Sequence, residues 1–195
     1  MNLIFDTHAH YDDEAFDADR DTLLASMPEN GVGLIVDPGC DLESSRRAVA
    51  LAEQYPHVYA AVGWHPENCA PYTRESLDTL RAWAKSPKVV AIGEIGLDYY
   101  WEQNPPREFQ QEVFRAQLAL AQELSLPVIA RPRRARRQPC HREGISECAR
   151  RVPLLFWQRR DRAGAYRARL VPRLRRPADL QKREKDRRSR EDRPA

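Results

Sequence analysis

Long apolar runs are missing from this 195-residue chain. No stretch approaches the ~20 apolar residues of a membrane-spanning helix. The N-terminus lacks the basic-then-apolar pattern of a secretion signal. Cysteine is scarce, and Cys40, Cys69, Cys140 and Cys148 show no short paired spacing, so neither a zinc knuckle nor a disulfide framework is indicated. A reducing, cytoplasmic setting is therefore expected, with no membrane and no stable protein partner implied. Positive charge is also scarce over most of the chain. Residues 1–130 carry 9 Lys+Arg against 21 Asp+Glu, a net of −12, whereas residues 131–195 carry 23 against 8, a net of +15. The overall +3 averages two unlike pieces.

What is present begins at Phe5-Asp6-Thr7-His8-Ala9-His10. Asn2 to Phe5 reads as a short buried strand, and on an extended backbone residues i and i+2 point to the same side. His8 and His10 can thus offer two imidazoles to one point, and neutral imidazole is a common ligand for divalent ions. Asp6 is a further ligand candidate, or a group that fixes one ring's tautomer. Two half-buried polar residues at a strand end are the bland alternative.

Downstream, apolar runs alternate with helical patterns. The acidic stretch Tyr11 to Glu14 reads as part of a loop over the site. Helices are predicted over about Asp17–Met27 (burying Leu23 and Leu24), from an Asp41 N-cap through Ala48 and Leu51 to Gln54, and over Arg74–Ala84 with Leu77, Leu80 and Trp83 inward. The longest follows Pro105-Pro106 and aligns Phe109, Val113, Leu120 and Leu124. Strands are predicted at Leu34–Val36 (closed by the turn Asp37-Pro38-Gly39), Val58–Val62, Val89–Ile92 and from Pro127 to Ala130. Strict alternation of this kind makes a parallel sheet covered by helices. No glycine-rich phosphate loop follows the first strand, which argues against a nucleotide-binding open sheet. The polar residues sit at the C-terminal ends of strands, where a (β/α)8 barrel carries its active site.

Glu94 lies in an otherwise apolar strand end between Gly93 and Gly96. A carboxylate there is costly to bury unless paired or bound to metal, so it is read as a metal ligand, naturally one bridging two ions. A salt bridge is the alternative, though bases are few nearby. His65, in Trp64-His65-Pro66, reads equally as a pocket or a turn residue. Asp98 and Tyr99 read as substrate contacts or as groups supporting the ligands.

Taken together, FDTHAH, GWHPE, GEIGLDYY, PPREFQQEVFRAQLALAQEL and PVIA resemble the TatD family of metal-dependent hydrolases across residues 1–130. The resemblance implies an α/β fold, a (β/α)8 TIM barrel of the metal-dependent hydrolase type, and a site holding one or two divalent cations (Mg, Mn or Zn). His8, His10 and Glu94 are the implied ligands, with Glu94 also catalytic and His65, Asp98 and Tyr99 on the substrate side. The implied chemistry is hydrolysis of an ester bond, as in a deoxyribonuclease acting on DNA or another phosphodiester, with water activated by the metal.

The chain departs from that pattern after Ala130. A histidine is expected there, opening a motif like HDREAH, and further on a histidine in HCFSG and an aspartate in TDxP; Arg131-Pro132-Arg133-Arg134 follows instead. Such barrels typically need ~250 residues, and here about the first five β/α units are legible. The genetic code offers an explanation. Pro153 to Arg160, PLLFWQRR, can be encoded by codons that one base later read HCFSGSA, with Trp157-Gln158 forcing the glycine codon. Arg131 to Arg137 is likewise compatible with DRDAHGD. Residues 131–195 are therefore expected to be an out-of-frame, poorly structured tail. His141, Cys140 and Cys148 then carry no metal. The alternative is a non-catalytic nucleic-acid-binding protein with a basic, Arg-rich C-terminal tail.

Overall fold

The computed structural model describes residues 3–135, 154–160 and 166–168, and side chains as far as residue 130. Four strand-helix units come first: β1 (Ile4–Asp6) and α1 (Arg20–Ser26), β2 (Val32–Pro38) and α2 (Leu42–Gln54), β3 (Val58–Val62) and α3 (Arg74–Trp83), β4 (Val89–Tyr99) and α4 (Arg107–Glu123). Strands β5 (Val128–Ala135), β6 (Leu154–Arg160) and β7 (Tyr166–Ala168) follow. Spatial order equals sequence order, with β1 to β6 parallel and β7 antiparallel to β6. Every crossover thus steps the same way, which curls a sheet toward a barrel; an open doubly wound sheet reverses its order. The chain forms half of a (β/α)8 barrel.

The sheet buries both faces. Ile35, Val58, Ala60, Val62, Ile92 and Val128 pack on one face against Leu24, Ala48, Leu80, Val113 and Leu118 of the helices. The other face carries a small layer, Val36, Ala61, Ala91 and Ile129, one residue from each of β2 to β5. A layer with one side chain per strand is how a barrel interior is filled. At Gly93 a Cβ would come within 2.6 Å of the Ile129 Cβ, so β4 and β5 approach there more closely than any side chain permits.

Helix starts follow their caps. The Asp41 carboxylate accepts from the Ser44 amide at 2.8 Å, and the Ser44 hydroxyl accepts from the Asp41 amide, a reciprocal box repeated by Thr73 and Ser76. α1 begins at Arg20, later than the predicted Asp17, because Glu14–Phe16 forms a separate 3₁₀ turn capped by Asp13.

Further differences have plain causes. The first strand is not buried: Leu3, Ile4 and Phe5 are 63%, 60% and 41% exposed, because among the described residues β1 is an edge strand paired only with β2. β4 does not end at Ile92 but runs on through Glu94 to Tyr99. β6 and β7 lie in the piece after residue 130, where Leu154–Trp157 is a short apolar run. The rest of that piece, including Cys140, His141 and Cys148, lies outside the described residues.

α4 buries Gln110, Val113, Phe114, Gln117, Leu118, Leu120 and Ala121, while Phe109 and Leu124 are only half-buried. Its inward stripe is thus rotated from the predicted one and includes two glutamines. The Gln117 amide accepts from the Trp64 N–H at 2.6 Å and donates to the Trp64 carbonyl at 3.1 Å. Replacing it by leucine strands two buried backbone groups, at on the order of 2–4 kcal/mol. Gln117→Leu is expected to lower the thermal melting point measured by circular dichroism, and an unchanged midpoint would show that Trp64 finds other partners.

Candidate metal centre

Parallel strands set their C-terminal ends along one rim, and the candidate ligands collect there. The Ala9 amide donates to the Val36 carbonyl at 3.1 Å, holding the segment after β1 against β2. The Asp6 carboxylate accepts from the backbone amide of His8 at 3.2 Å. Asp6 thereby braces the chain under His8, and it is absent from the groups whose ligand atoms converge among the described residues.

His8, His10 and Glu94 do converge, with one ligand atom from each within 4.8 Å of the others. His8 Nε2 stands 3.1 Å from His10 Nε2 and 3.3 Å from the Glu94 carboxylate. Ligand atoms about 2.0–2.2 Å from a tetrahedral ion lie roughly 3.3–3.5 Å apart, so these spacings match the edges of a coordination shell. Two imidazoles and a carboxylate also form a donor set suited to zinc and other borderline divalent ions. Glu94 is 3% exposed, which makes this pairing matter energetically.

A second group adjoins the first. His10, Asp12 and Asp37 also bring their ligand atoms within 4.8 Å. Asp12 and Asp37 are 6% and 0% exposed, and the Asp12 amide donates to Asp37 Oδ2 at 3.1 Å. Burial, then the neighbouring Asp12 charge, pushes the Asp37 carboxyl well above the usual range. Burial opposes the charged form of His10, but the Asp12 carboxylate 3.8 Å from its Nδ1 and the charge of Glu94 outweigh it, and its pKa is raised. Sequence reading had placed Asp12 in an acidic loop and Asp37 in a turn. The available signal was that Asp37 lies next to the last residue of β2, toward the same C-terminal rim at which the histidines follow β1.

His65, Asp98 and Tyr99 each bond to neighbouring groups. His65 is buried, its amide donates to the Cys40 carbonyl at 2.8 Å, and its Nδ1 accepts from the Glu67 amide at 3.2 Å. It stands outside both convergent groups. Asp98 is fully buried: its Oδ1 accepts from the Tyr100 amide at 2.8 Å, while Gln110 bonds both its amide and its carbonyl. The Tyr99 hydroxyl accepts from Gln111 at 3.0 Å, and the Arg107 guanidinium lies 4.9 Å over its ring. Asp98 and Tyr99 line an open cleft with Tyr100, Trp101, Asn104 and Arg107. Tyr100 and Trp101, edge to face at 4.7 Å, are 40% and 44% exposed there.

Residues 5–141 match the profile of a family described as TatD related DNase. The chain is 42% identical over 133 residues to the uncharacterized metal-dependent hydrolase YabD of Bacillus subtilis, covering 68% of this chain and 52% of that one. It is 40% identical over 125 residues to the 3'-5' ssDNA/RNA exonuclease TatD of Cronobacter turicensis, covering 64% and 47%. Among solved structures, the TatD homologue YjjV of Escherichia coli superposes with a TM-score of 0.62 at 40% identity, covering 67% of this chain and 51% of that one. The chain spans about half the length of the relatives it matches.

Removing a ligand should weaken metal binding by more than the roughly 10–100-fold that loss of a supporting group costs. Glu94→Gln, nearly identical in shape, is expected to do so in a calorimetric titration with Mn²⁺ or Zn²⁺. Retained affinity would take Glu94 out of the coordination shell.

Proposed function

We propose, from the premise that this chain belongs to the TatD related DNase family, that it derives from a metal-dependent phosphodiesterase acting on DNA. The observation that carries the reading is the convergence of His8, His10 and Glu94 on the rim where a barrel holds its active site. The ion, Mg, Mn or Zn, would be held by those three residues and would supply Lewis acidity to the phosphodiester and to a water. His8 and His10 would each offer a ring nitrogen to it. Glu94 would bring the negative charge that offsets a divalent cation, and as a carboxylate beside it could also serve the metal-activated water. His65, Asp98 and Tyr99 belong to the substrate side in this reading. Support for a nucleic-acid substrate comes from the relative described as an ssDNA/RNA exonuclease and from exposed Tyr100 and Trp101, since bases stack on aromatic faces. A cytoplasmic location fits a DNA substrate, and no helix among the described residues is long and apolar enough to cross a membrane.

Residues 131–195 are, in the same reading, the product of a shifted frame, and activity of this exact chain is impaired. Support comes from the change in charge sign at residue 131.

The deciding comparison is between the 195-residue chain and a version with two bases restored in the codon for Ala130. Single-stranded DNA should be hydrolysed by the restored protein with Mn²⁺ or Mg²⁺ and spared when a chelator is added. The unrestored chain, short of part of its ligand set, should turn over at least ~100-fold more slowly. Salt-sensitive DNA binding that survives chelation, with no turnover in either protein, would favour the basic-tail binding protein instead.

A further inference from the structure

The carboxylates of Asp12 and Asp37 are buried beside the centre, and no Lys or Arg among the described residues pairs with either. Each keeps one oxygen, Oδ1, without a hydrogen-bond partner. Asp12 Oδ1 is the oxygen that faces His10, 3.8 Å from Nδ1. The other ring nitrogen, Nε2, points at His8. Asp12 is itself held from behind by its amide's bond to Asp37, the next-to-last residue of β2.

We propose that Asp12, braced by Asp37, is a positioning residue for His10: it accepts a hydrogen bond from Nδ1–H, keeping the proton on that nitrogen and so aiming the Nε2 lone pair at the metal. A neutral imidazole has one N–H and one lone pair, and the partner of one nitrogen decides the role of the other. Ligation at Nε2 strengthens Nδ1–H as a donor, which draws the 3.8 Å contact into a hydrogen bond. The rival use of the same atoms is a second cation held by His10, Asp12 and Asp37. That ion would need Nδ1, so His10 would have to give up both nitrogens at once as an imidazolate, which is disfavoured near neutral pH. A rival orienting group also exists, because the Pro38 carbonyl faces the ring.

The inference rests on the reading of His8, His10 and Glu94 as metal ligands, and the experiment separates the two. Full-length chain and its Asp12→Ala and Asp12→Asn variants are titrated with Co²⁺, followed by visible absorption. The histidine ring nitrogens of the metal-free proteins are observed by nitrogen-15 NMR, and folding by circular dichroism. Asp12→Ala should lower Co²⁺ affinity 10–100-fold and shift His10 from the Nδ1–H tautomer to a mixture, leaving His8 unchanged. Asp12→Asn, which keeps the volume and loses the charge, should fall between, and it carries the test where Asp12→Ala does not fold. Unchanged affinity and tautomer in either folded variant overturn the proposal in favour of Pro38. It is overturned equally by a wild-type chain that binds two Co²⁺ and a variant that binds one with an unaltered spectrum. A wild-type chain that binds no Co²⁺ sinks the metal centre itself, and the His10 tautomer alone then decides the role of Asp12.

Discussion

A carboxylate almost sealed from water must be answered by positive charge or by donors, and the rim of this half-barrel is arranged around that constraint. Glu94 sits near the middle of β4, two strands from β2 and three from β1, yet its oxygen lies 3.3 Å from His8. Only curvature brings the end of the first strand to the fourth across that distance. The monotonic strand order supplies the curvature, the small residues Ala61 and Ala91 of the inner layer leave room for it, and Gly93 lets β5 close in beside the ligand.

The same constraint returns in Asp12 and Asp37, in a different balance. Here two acids face each other with a single imidazole, and the fold offers a backbone amide in place of a cation. Two buried acids close together cannot both ionise cheaply. A raised Asp37 pKa is the expected consequence of holding them so. Charge at this rim is thus arranged in two steps, with the ligands in front and a more weakly compensated acidic pair behind.

Much of this was legible in the chain. His8 and His10 are two apart on an extended segment, so their convergence follows from backbone geometry alone. Glu94 stood out as a charge in an apolar strand. Strand β3 and helix α2 fall where period and capping residues predict, because Asp41 and Ser44 signal their own role locally. Asp12 and Asp37 did not stand out, since a carboxylate in an acidic loop and another before Pro-Gly look like solvated turn residues until the sheet folds over them. Gln110 and Gln117 were missed for a related reason: hydrophobic periodicity cannot register polar side chains whose partners are backbone groups of distant strands. The exposed β1 reflects long-range pairing too. Its apolar residues read as core, but at the edge of the sheet they and Leu34 meet solvent.

Those two glutamines have an effect beyond their own bonds. Seven residues apart on one helix, they fasten α4 to the ends of two different strands, Gln117 to Trp64 after β3 and Gln110 to Asp98 in β4. The segments that follow β3 and β4 are therefore not independent flaps. Fraying of α4 would release both together, so their mobility is set by the local unfolding of one helix, and amide exchange in the two should rise and fall as a single cooperative unit.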